Sequence, residues 1–345
     1  MTIDHVVLGA GLMGRLLSLS LARQGARVRL IDAHGPDAAH SAARAAAAML
    51  APLAESAITE LPVVRMGLHG LTRWPQLLQG LPQPVFFQQA GTLILWHRQD
   101  QAEAQRFERL IRRTHAALPE LAAPRALHGP EWQAMAPELA RRFAQALHLP
   151  QEGQLDNRQL LDALLQALQE AGVELHWQQA VGATDEPALR ALMGPGVRLI
   201  DCRGLGARVA WSQLRGVRGE VLRLYAPEVQ LPCPTRLIHP RYPIYIAPKE
   251  QGLFVVGATE IESEDRSPIS VQSTLELLSA AFSIFPSLAE ARILYTDVNL
   301  RPAMMDNLPV VDTQPGITRI NGLFRHGWLL APAVLEKALN DAHLC

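Results

Sequence analysis

Residues 5–32 run strand, glycine loop, helix, strand and acid, and few folds accommodate that order. Val6, Val7 and Leu8 are a short apolar run that reads as a buried strand. Gly9-Ala10-Gly11-Leu12-Met13-Gly14 follows at once, and Leu16, Leu17, Leu19, Leu21 and Ala22 then mark an amphipathic helix closed by Gly25. Residues 27–31 alternate as a second strand that finishes at Asp32. Each part has a mechanical reason. Gly9 permits a tight turn, Gly11 lets backbone approach a pyrophosphate, and Gly14 allows close packing of helix on strand. The helix start at Leu12 and Met13 offers free N–H groups and partial positive charge to phosphates. Asp32 is placed to accept from ribose hydroxyls. The unit predicts a Rossmann-like dinucleotide-binding domain and leaves FAD and NAD equally open.

The remaining length, to 345 residues, favours a second domain at roughly 100–200 residues per domain. Lys+Arg number 32 against 33 Asp+Glu, a net charge of −1. That balance argues against a protein that holds nucleic acid by phosphate neutralisation. Cys202, Cys233 and Cys345 are too few and too scattered for a disulfide framework or a zinc cage. No apolar run reaches the roughly 18 residues of a membrane helix. The apolar start runs straight into the glycine motif, where cleavage would delete a binding element. A cytoplasmic enzyme without integral membrane contact is expected.

Farther along, His40-Ser41-Ala42-Ala43-Arg44 and the alanines to Met49 read as a helix by propensity, alanine being the best helix former. The other reading is a segment whose small side chains let backbone approach a flat cofactor. Residues 92–96 read as a strand, 101–117 as a charged helix and 158–171 as a helix ended by Gly172. Residues 173–177 and 197–202 read as further strands of the nucleotide domain. The second of these leads into a glycine turn at Gly204, at the carboxyl end where α/β sheets bind ligands. From 216 the pattern turns to strands, with residues 244–247 and 253–257 flanking a plausible hairpin loop and with Tyr245 on the face opposite Ile244 and Ile246. A helix is predicted over 272–284. The predicted fold is α/β: a nucleotide domain interrupted by a discontinuous, mainly antiparallel β-sheet domain that roofs a ligand pocket. The expected segments are 1–80, 145–213 and 298–345 for the nucleotide domain and 81–144 and 214–297 for the other.

Seven segments together resemble the FAD-dependent D-amino-acid oxidase superfamily, most closely the glycine oxidases linked to thiamine biosynthesis. They are residues 9–14 with Asp32, 45–52, Gly91-Thr92, 153–158, 257–260, 299–302 and 322–332, in the family's order along nearly the whole chain. The resemblance implies FAD. It places Ala47, Ala48 and Met49 against the flavin, Ser41 and Gly204 among the cofactor-binding residues, Val181 on the adenine side, and His326, Gly327, Trp328 and Leu329 in a segment that closes over the isoalloxazine. Arg44 and Ala48 depart from the smaller residue and the glycine common there. No cysteine is suitably placed for a covalent link, so noncovalent FAD is expected.

On composition alone Arg301 would be one of 30 arginines, paired with an acid such as Asp306. In the resemblance it falls where the family grips the substrate carboxylate, a task that suits a bidentate guanidinium. Tyr245 matches the hydroxyl donor to the same carboxylate, and Arg325 a third pocket position beside substrate and flavin. Leu323 stands where histidine is common, Asn299 where glycine is common, and Glu260 at a pocket edge that is often apolar. The implied reaction is FAD-dependent oxidation of glycine or a small amino acid, with hydride passing from Cα to flavin N5. Oxygen then gives hydrogen peroxide, and hydrolysis of the imine gives glyoxylate and ammonia. No strong base is required, because the protein's tasks are positioning and water exclusion. The partners implied are a small amino acid and oxygen, a second copy of the chain, and thiazole-synthesis enzymes. The alternatives are a flavoenzyme for an N-substituted glycine (sarcosine or a modified tRNA base), a quinone-linked D-amino-acid dehydrogenase, an NAD-dependent dehydrogenase and a noncatalytic flavin-binding protein.

Overall fold

A computed structural model describes residues 3–182, 191–192, 196–239 and 243–341. The strand His5–Leu8 is wholly buried and lies inside a six-stranded sheet. Val28–Ile31 pairs with it in parallel on one side and Arg198–Asp201 on the other. Glu174–His176 extends the sheet beyond Val28–Ile31, and Ile317–Asn321 beyond Arg198–Asp201, both in parallel. Val310–Gln314 closes that edge in the antiparallel sense. The helices Leu12–Arg23, Asn157–Glu170 and Gly327–Asp341 bury their apolar stripes in one core that includes Leu17, Leu164 and Leu335.

The glycines behave as the motif requires. Gly9 has φ +90°, and a Cβ on Gly14 would land on the Gly9 carbonyl oxygen. Only glycine lets the helix start that close to the loop. Asp156 caps Asn157–Glu170 by accepting from the Arg158 and Gln159 amides, which sets that helix's first turn.

The second sheet has eight strands, in the order Arg292–Ala303, Arg215–Tyr225, Leu253–Gly257, Ile244–Pro248, Thr235–Ile238, Thr92–Trp96, Gln145–Leu149 and Arg125–His128. Every pairing is antiparallel except Thr235–Ile238 with Thr92–Trp96. The predicted hairpin is present, with Tyr245 opposite Gly257. The helix Val271–Ile284 covers one face through Leu277, Ala281 and Ile284. Strand structure reaches farther than expected around Arg301: Arg292–Ala303 is one continuous twelve-residue strand containing Arg301 and Pro302. It occupies the sheet edge, where proline's missing N–H costs no ladder bond.

The alanine run corrects the propensity reading. Residues 42–45 are turns, and Met49–Leu50 is a short strand that joins Gly153–Leu155 and Phe87–Gln88 in a three-stranded sheet. Ala48 has φ +50°, which no helix tolerates. Local propensity yields here because the segment's carbonyls are captured by distant side chains, as described below. Two long helices were also missed, Leu61–Leu78 and Gly327–Asp341, besides the short Pro52–Glu55, Gly129–Met135 and Pro137–Ala140. Both long helices contain an interior proline, and the first contains Gly67 and Gly70. Those glycines are packing devices, because a Cβ at Gly70 would overlap the Leu329 carbonyl oxygen. Trp74 Nε1 donates to Trp328 O at 2.9 Å across the same crossing.

Candidate active site

A cleft of about 850 Å³ opens at the carboxyl ends of the parallel strands, lined by Gly9, Gly11, Leu12, Met13, Asp32, Ser41, Val181, Gly204, Gly327 and Trp328 among others. Gly14 lies behind the loop, where it fixes the helix. Asp32 accepts from the Ala10 amide at 2.5 Å and the His34 amide at 2.8 Å, so its carboxylate also sets the shape of the glycine loop. Arg15, which sequence reading missed, is fully buried behind that loop and donates to the carbonyls of Ala10, Leu161 and Pro36. Burial lowers its pKa to about 10, with the charges of Asp162 and Asp32 acting in the opposite direction. Val181 O accepts from Arg203, which is paired with Asp201. Burial pushes the Cys202 thiol well above its ordinary range and Cys233 up to about 12, so both are poor nucleophiles. Cys345 lies outside the described residues.

At its inner end the cleft meets a second cavity of about 380 Å³, and Asn299, Arg301, Arg325 and Trp328 line both. Ala47, Ala48 and Met49 form one wall of the second cavity, and His326, Trp328 and Leu329 another. The carbonyls of the alanine segment turn outward to protein donors. Ser41 O accepts from Asn299 Nδ2 at 3.0 Å, and Ala43 O and Arg44 O from Asn157 Nδ2 at 2.8 and 2.7 Å. Trp328 Nε1 also donates to Ala43 O, Lys249 Nζ donates to Ala47 O, and the Leu155 amide donates to Ala48 O. Among the described residues, the amides of Ala42, Ala45, Ala46, Ala47 and Ala48 have no hydrogen-bond partner. Methyl-only side chains and unspent amides make a wall suited to a flat ring edged with acceptors, and the dinucleotide cleft leads straight to it. The residues present fit FAD.

The second cavity also holds a charged cluster. Arg301 extends from the edge strand across Gly219, where any Cβ would strike the guanidinium. Its Nη2 donates to Thr259 O at 3.0 Å and its Nη1 to Arg218 O at 3.4 Å. No carboxylate lies within ion-pair distance of it among the described residues, and Asp306 instead accepts from the Leu308 amide. Tyr245 lies over Gly257, whose missing Cβ leaves room for the hydroxyl. Burial raises the Tyr245 pKa, with Arg301 acting in the opposite direction.

Arg325, on the turn Phe324–His326, is held between two carboxylates: Glu260 at 2.7 Å and Glu55 at 3.3 Å. Glu55 and Arg236 were not anticipated from sequence. Glu55 ends the short helix Pro52–Glu55 just after the alanine segment, and it is 7% exposed. It receives Arg236 at 2.5 Å and lies 3.4 Å from His326 Nδ1. Burial works against its charge, but Arg325 and Arg236 prevail and hold the carboxyl far below the usual range. His326 is also lowered, to about 4 by burial, but for a base this means that it is neutral at pH 7 beside the charged Glu55. The one available signal for Arg236 was its place in Thr235-Arg236-Leu237-Ile238, where alternation sends Arg236 and Ile238 to the face opposite buried Thr235 and Leu237. Three arginines thus meet two glutamates, and the surplus positive charge is Arg301.

Behind Glu55 lies Glu152, fully buried, accepting from the Ala54 amide at 2.7 Å, with the Thr92 hydroxyl as a further polar neighbour. Burial raises its pKa to about 7, well above the ordinary carboxyl range. A carboxyl raised in the folded state contributes stability at low pH and loses it as pH rises through the folded value. Glu152→Gln is therefore expected to match the native protein near pH 4.5 and to exceed it by up to about 3 kcal/mol at pH 8. Denaturant unfolding at both pH values checks this, and equal midpoint differences at the two would refute it.

A dinucleotide cleft ending in an amide-rich wall, beside an arginine with no carboxylate partner among the described residues, has the features a flavoprotein oxidoreductase needs. A family model described as FAD dependent oxidoreductase matches residues 4–335, and the chain belongs to that family. FAD, rather than NAD, is its cofactor. The chain is 38% identical over 335 residues to the Rhizobium etli protein named "Putative thiamine biosynthesis oxidoreductase ThiO", covering 95% of this chain and 93% of that one. It is 25% identical to a glycine oxidase of Geobacillus kaustophilus over 95% of this chain and 90% of that protein. Among solved structures, glycine oxidase from Geobacillus kaustophilus superposes with a TM-score of 0.80 at 23% identity, covering 98% of this chain and 94% of that one. Iminodiacetate oxidase from Chelativorans sp. BNC1 superposes at 0.79 and 24%, covering 99% and 94%. At these identities the two structures show the fold, a mixed α/β flavoprotein architecture. No helix among the described residues is long and apolar enough to cross a membrane.

Proposed function

We propose that this oxidoreductase acts on glycine or a similarly small amino acid, giving an imine that water hydrolyses to a keto acid (glyoxylate from glycine) and ammonia. Bound FAD supplies the two-electron acceptor, regenerated by oxygen with release of hydrogen peroxide. The observation that carries the reading is Arg301, an arginine oriented by two backbone carbonyls, with no carboxylate partner among the described residues, at the junction of the two cavities. It receives the substrate carboxylate bidentately, and the Tyr245 hydroxyl donates to the same group. Arg325, already spoken for by Glu55 and Glu260, walls the cavity and keeps the substrate against Arg301. The unspent amides of residues 45–48 and the start of the helix Gly327–Asp341 hold the flavin end of FAD noncovalently. Gly11, Leu12 and Met13 hold its pyrophosphate, Asp32 its ribose, and Ser41, Val181 and Gly204 line the remaining length.

The same reading divides the chain into an FAD-binding part (1–80, 145–213 and 298–345) and a substrate-binding part (81–144 and 214–297). Support comes from the two sheets, although the large one takes Arg292–Ala303 whole. Cytoplasmic location and self-association belong to the same reading, as does supply of an intermediate to thiazole synthesis, for which the likeness to the Rhizobium etli protein named for thiamine biosynthesis is the support.

The test is the absorbance spectrum of the purified protein, followed by anaerobic addition of glycine, sarcosine and D-alanine. Flavin bands bleached by glycine, with peroxide on readmitting air, are expected. A yellow protein that none of the three bleaches would overturn the substrate assignment. A second reading, an N-substituted glycine, draws on the cavity's extension toward Ile58, Phe107 and Ile238 and on half-exposed Glu260 at its rim. Faster bleaching by sarcosine than by glycine would favour it.

A further inference from the structure

Lys249 is one of two lysines in the chain, and it is buried, 7% exposed. It directly follows the strand Ile244–Pro248, whose other end carries Tyr245. Its Nζ donates to Ala47 O at 2.9 Å, Gln154 Oε1 at 2.9 Å and Leu155 O at 2.8 Å. Three neutral acceptors match the three donors of an ammonium. No ion pair accompanies it among the described residues. The charged groups that face it are Asp156, which favours its charge, and Arg223, which opposes it, and the Phe86 ring lies 6.0 Å away. Burial lowers its pKa to about 7.

Ala47 is the acceptor that reaches the active site. A trans peptide points its carbonyl and the following N–H in opposite directions. With Ala47 O turned to Lys249, the Ala48 amide faces away from the lysine, on the side where Ala47, Ala48 and Met49 line the cavity. We propose that Lys249 is a positioning residue for the flavin. Its ammonium locks the Ala47–Ala48 peptide with the amide aimed at the ring and places a positive charge behind that peptide, favouring states of the ring that carry negative charge. This rests on the reading that the alanine wall faces the isoalloxazine. Bond lengths and one hydrogen bond put the ammonium about 8 Å from a ring acceptor of that amide. A unit charge at that distance in a partly screened interior shifts an equilibrium that adds one negative charge by about tenfold.

The experiment uses purified holoenzyme and sulfite, which adds to oxidised flavin and leaves negative charge on the ring. Lys249→Met is expected to retain FAD, to bind sulfite about tenfold more weakly and to lower the two-electron reduction potential by the corresponding 30 mV or so. Lys249→Arg should restore most of both. A Met variant that holds FAD with native sulfite affinity overturns the proposal. If that variant does not fold, Lys249→Gln, which keeps two N–H donors and loses the charge, takes its place. Sulfite bound about tenfold more weakly than by the native holoenzyme supports the proposal, and native sulfite affinity overturns it. A colourless native protein that refuses added FAD overturns both this proposal and the cofactor assignment beneath it. A tenfold sulfite effect in an enzyme that glycine does not bleach supports Lys249 and overturns only the substrate reading.

Discussion

Arg301→Ala is expected to lower kcat/KM for glycine by between roughly thirtyfold and several thousandfold while FAD remains bound. Removing the charged partner of a desolvated carboxylate costs about 2–5 kcal/mol, which sets that range. The loss should appear mainly in KM, because in the proposed role the arginine would bind the carboxylate equally before and during oxidation of the neighbouring carbon. Arg301→Lys should recover little, since a point charge lacks the two-pronged geometry. Gly219→Ala provides an independent check from the opposite strand. Its methyl would occupy the space of the Arg301 guanidinium, so it should reproduce most of the loss without touching the arginine. Steady-state kinetics and anaerobic substrate titration measure both effects, and native KM values in Arg301→Ala would falsify the carboxylate assignment.

Glu55→Ala is expected to be the most damaging single change for stability at the site, at about 3–5 kcal/mol. Glu55 is shared by Arg236 and Arg325 and lies against neutral His326. Its removal strands Arg236, 15% exposed, with no other ion-pair partner among the described residues, and leaves Arg325 with Glu260 alone. Glu55→Gln should also be costly, because the amide cannot balance two guanidinium groups. Combining Glu55→Ala with Arg236→Leu should recover part of the loss, since the buried cation that made truncation expensive is then gone. Chemical denaturation of the four proteins of this cycle is the measurement. Additive losses would mean that the pair is not coupled.

The residues closest in sequence were the easiest to read. The unit from Val6 to Asp32 was legible because each requirement (buried strand, positive-φ turn, Cβ-free helix start, terminal acid) is local and has its own residue signal. The hairpin around Lys249 and the facing of Tyr245 were legible for the same reason. Arg301 could be picked out of 30 arginines only through resemblance, since neither Gly219 nor the two orienting carbonyls lie near it in sequence. Glu55 and Arg236 escaped entirely, because 181 residues separate them. Nothing local to either predicts a partner.

The alanine segment shows the same division most clearly. Its composition favours a helix, and the sequence offers no local reason to refuse one. Asn157, Asn299, Trp328 and Lys249 capture its carbonyls from four distant places, and that capture turns its amides to the cavity. By itself, then, the sequence determined the nucleotide-binding unit, the mainly antiparallel second sheet and, through resemblance, the class of cofactor. Tertiary structure alone decided which arginine has no carboxylate partner among the described residues and which backbone amides are left unpaired at the cavity wall. Those properties depend on what lies across a cavity, and burial makes each unpaired donor or charge count far more than it would in water.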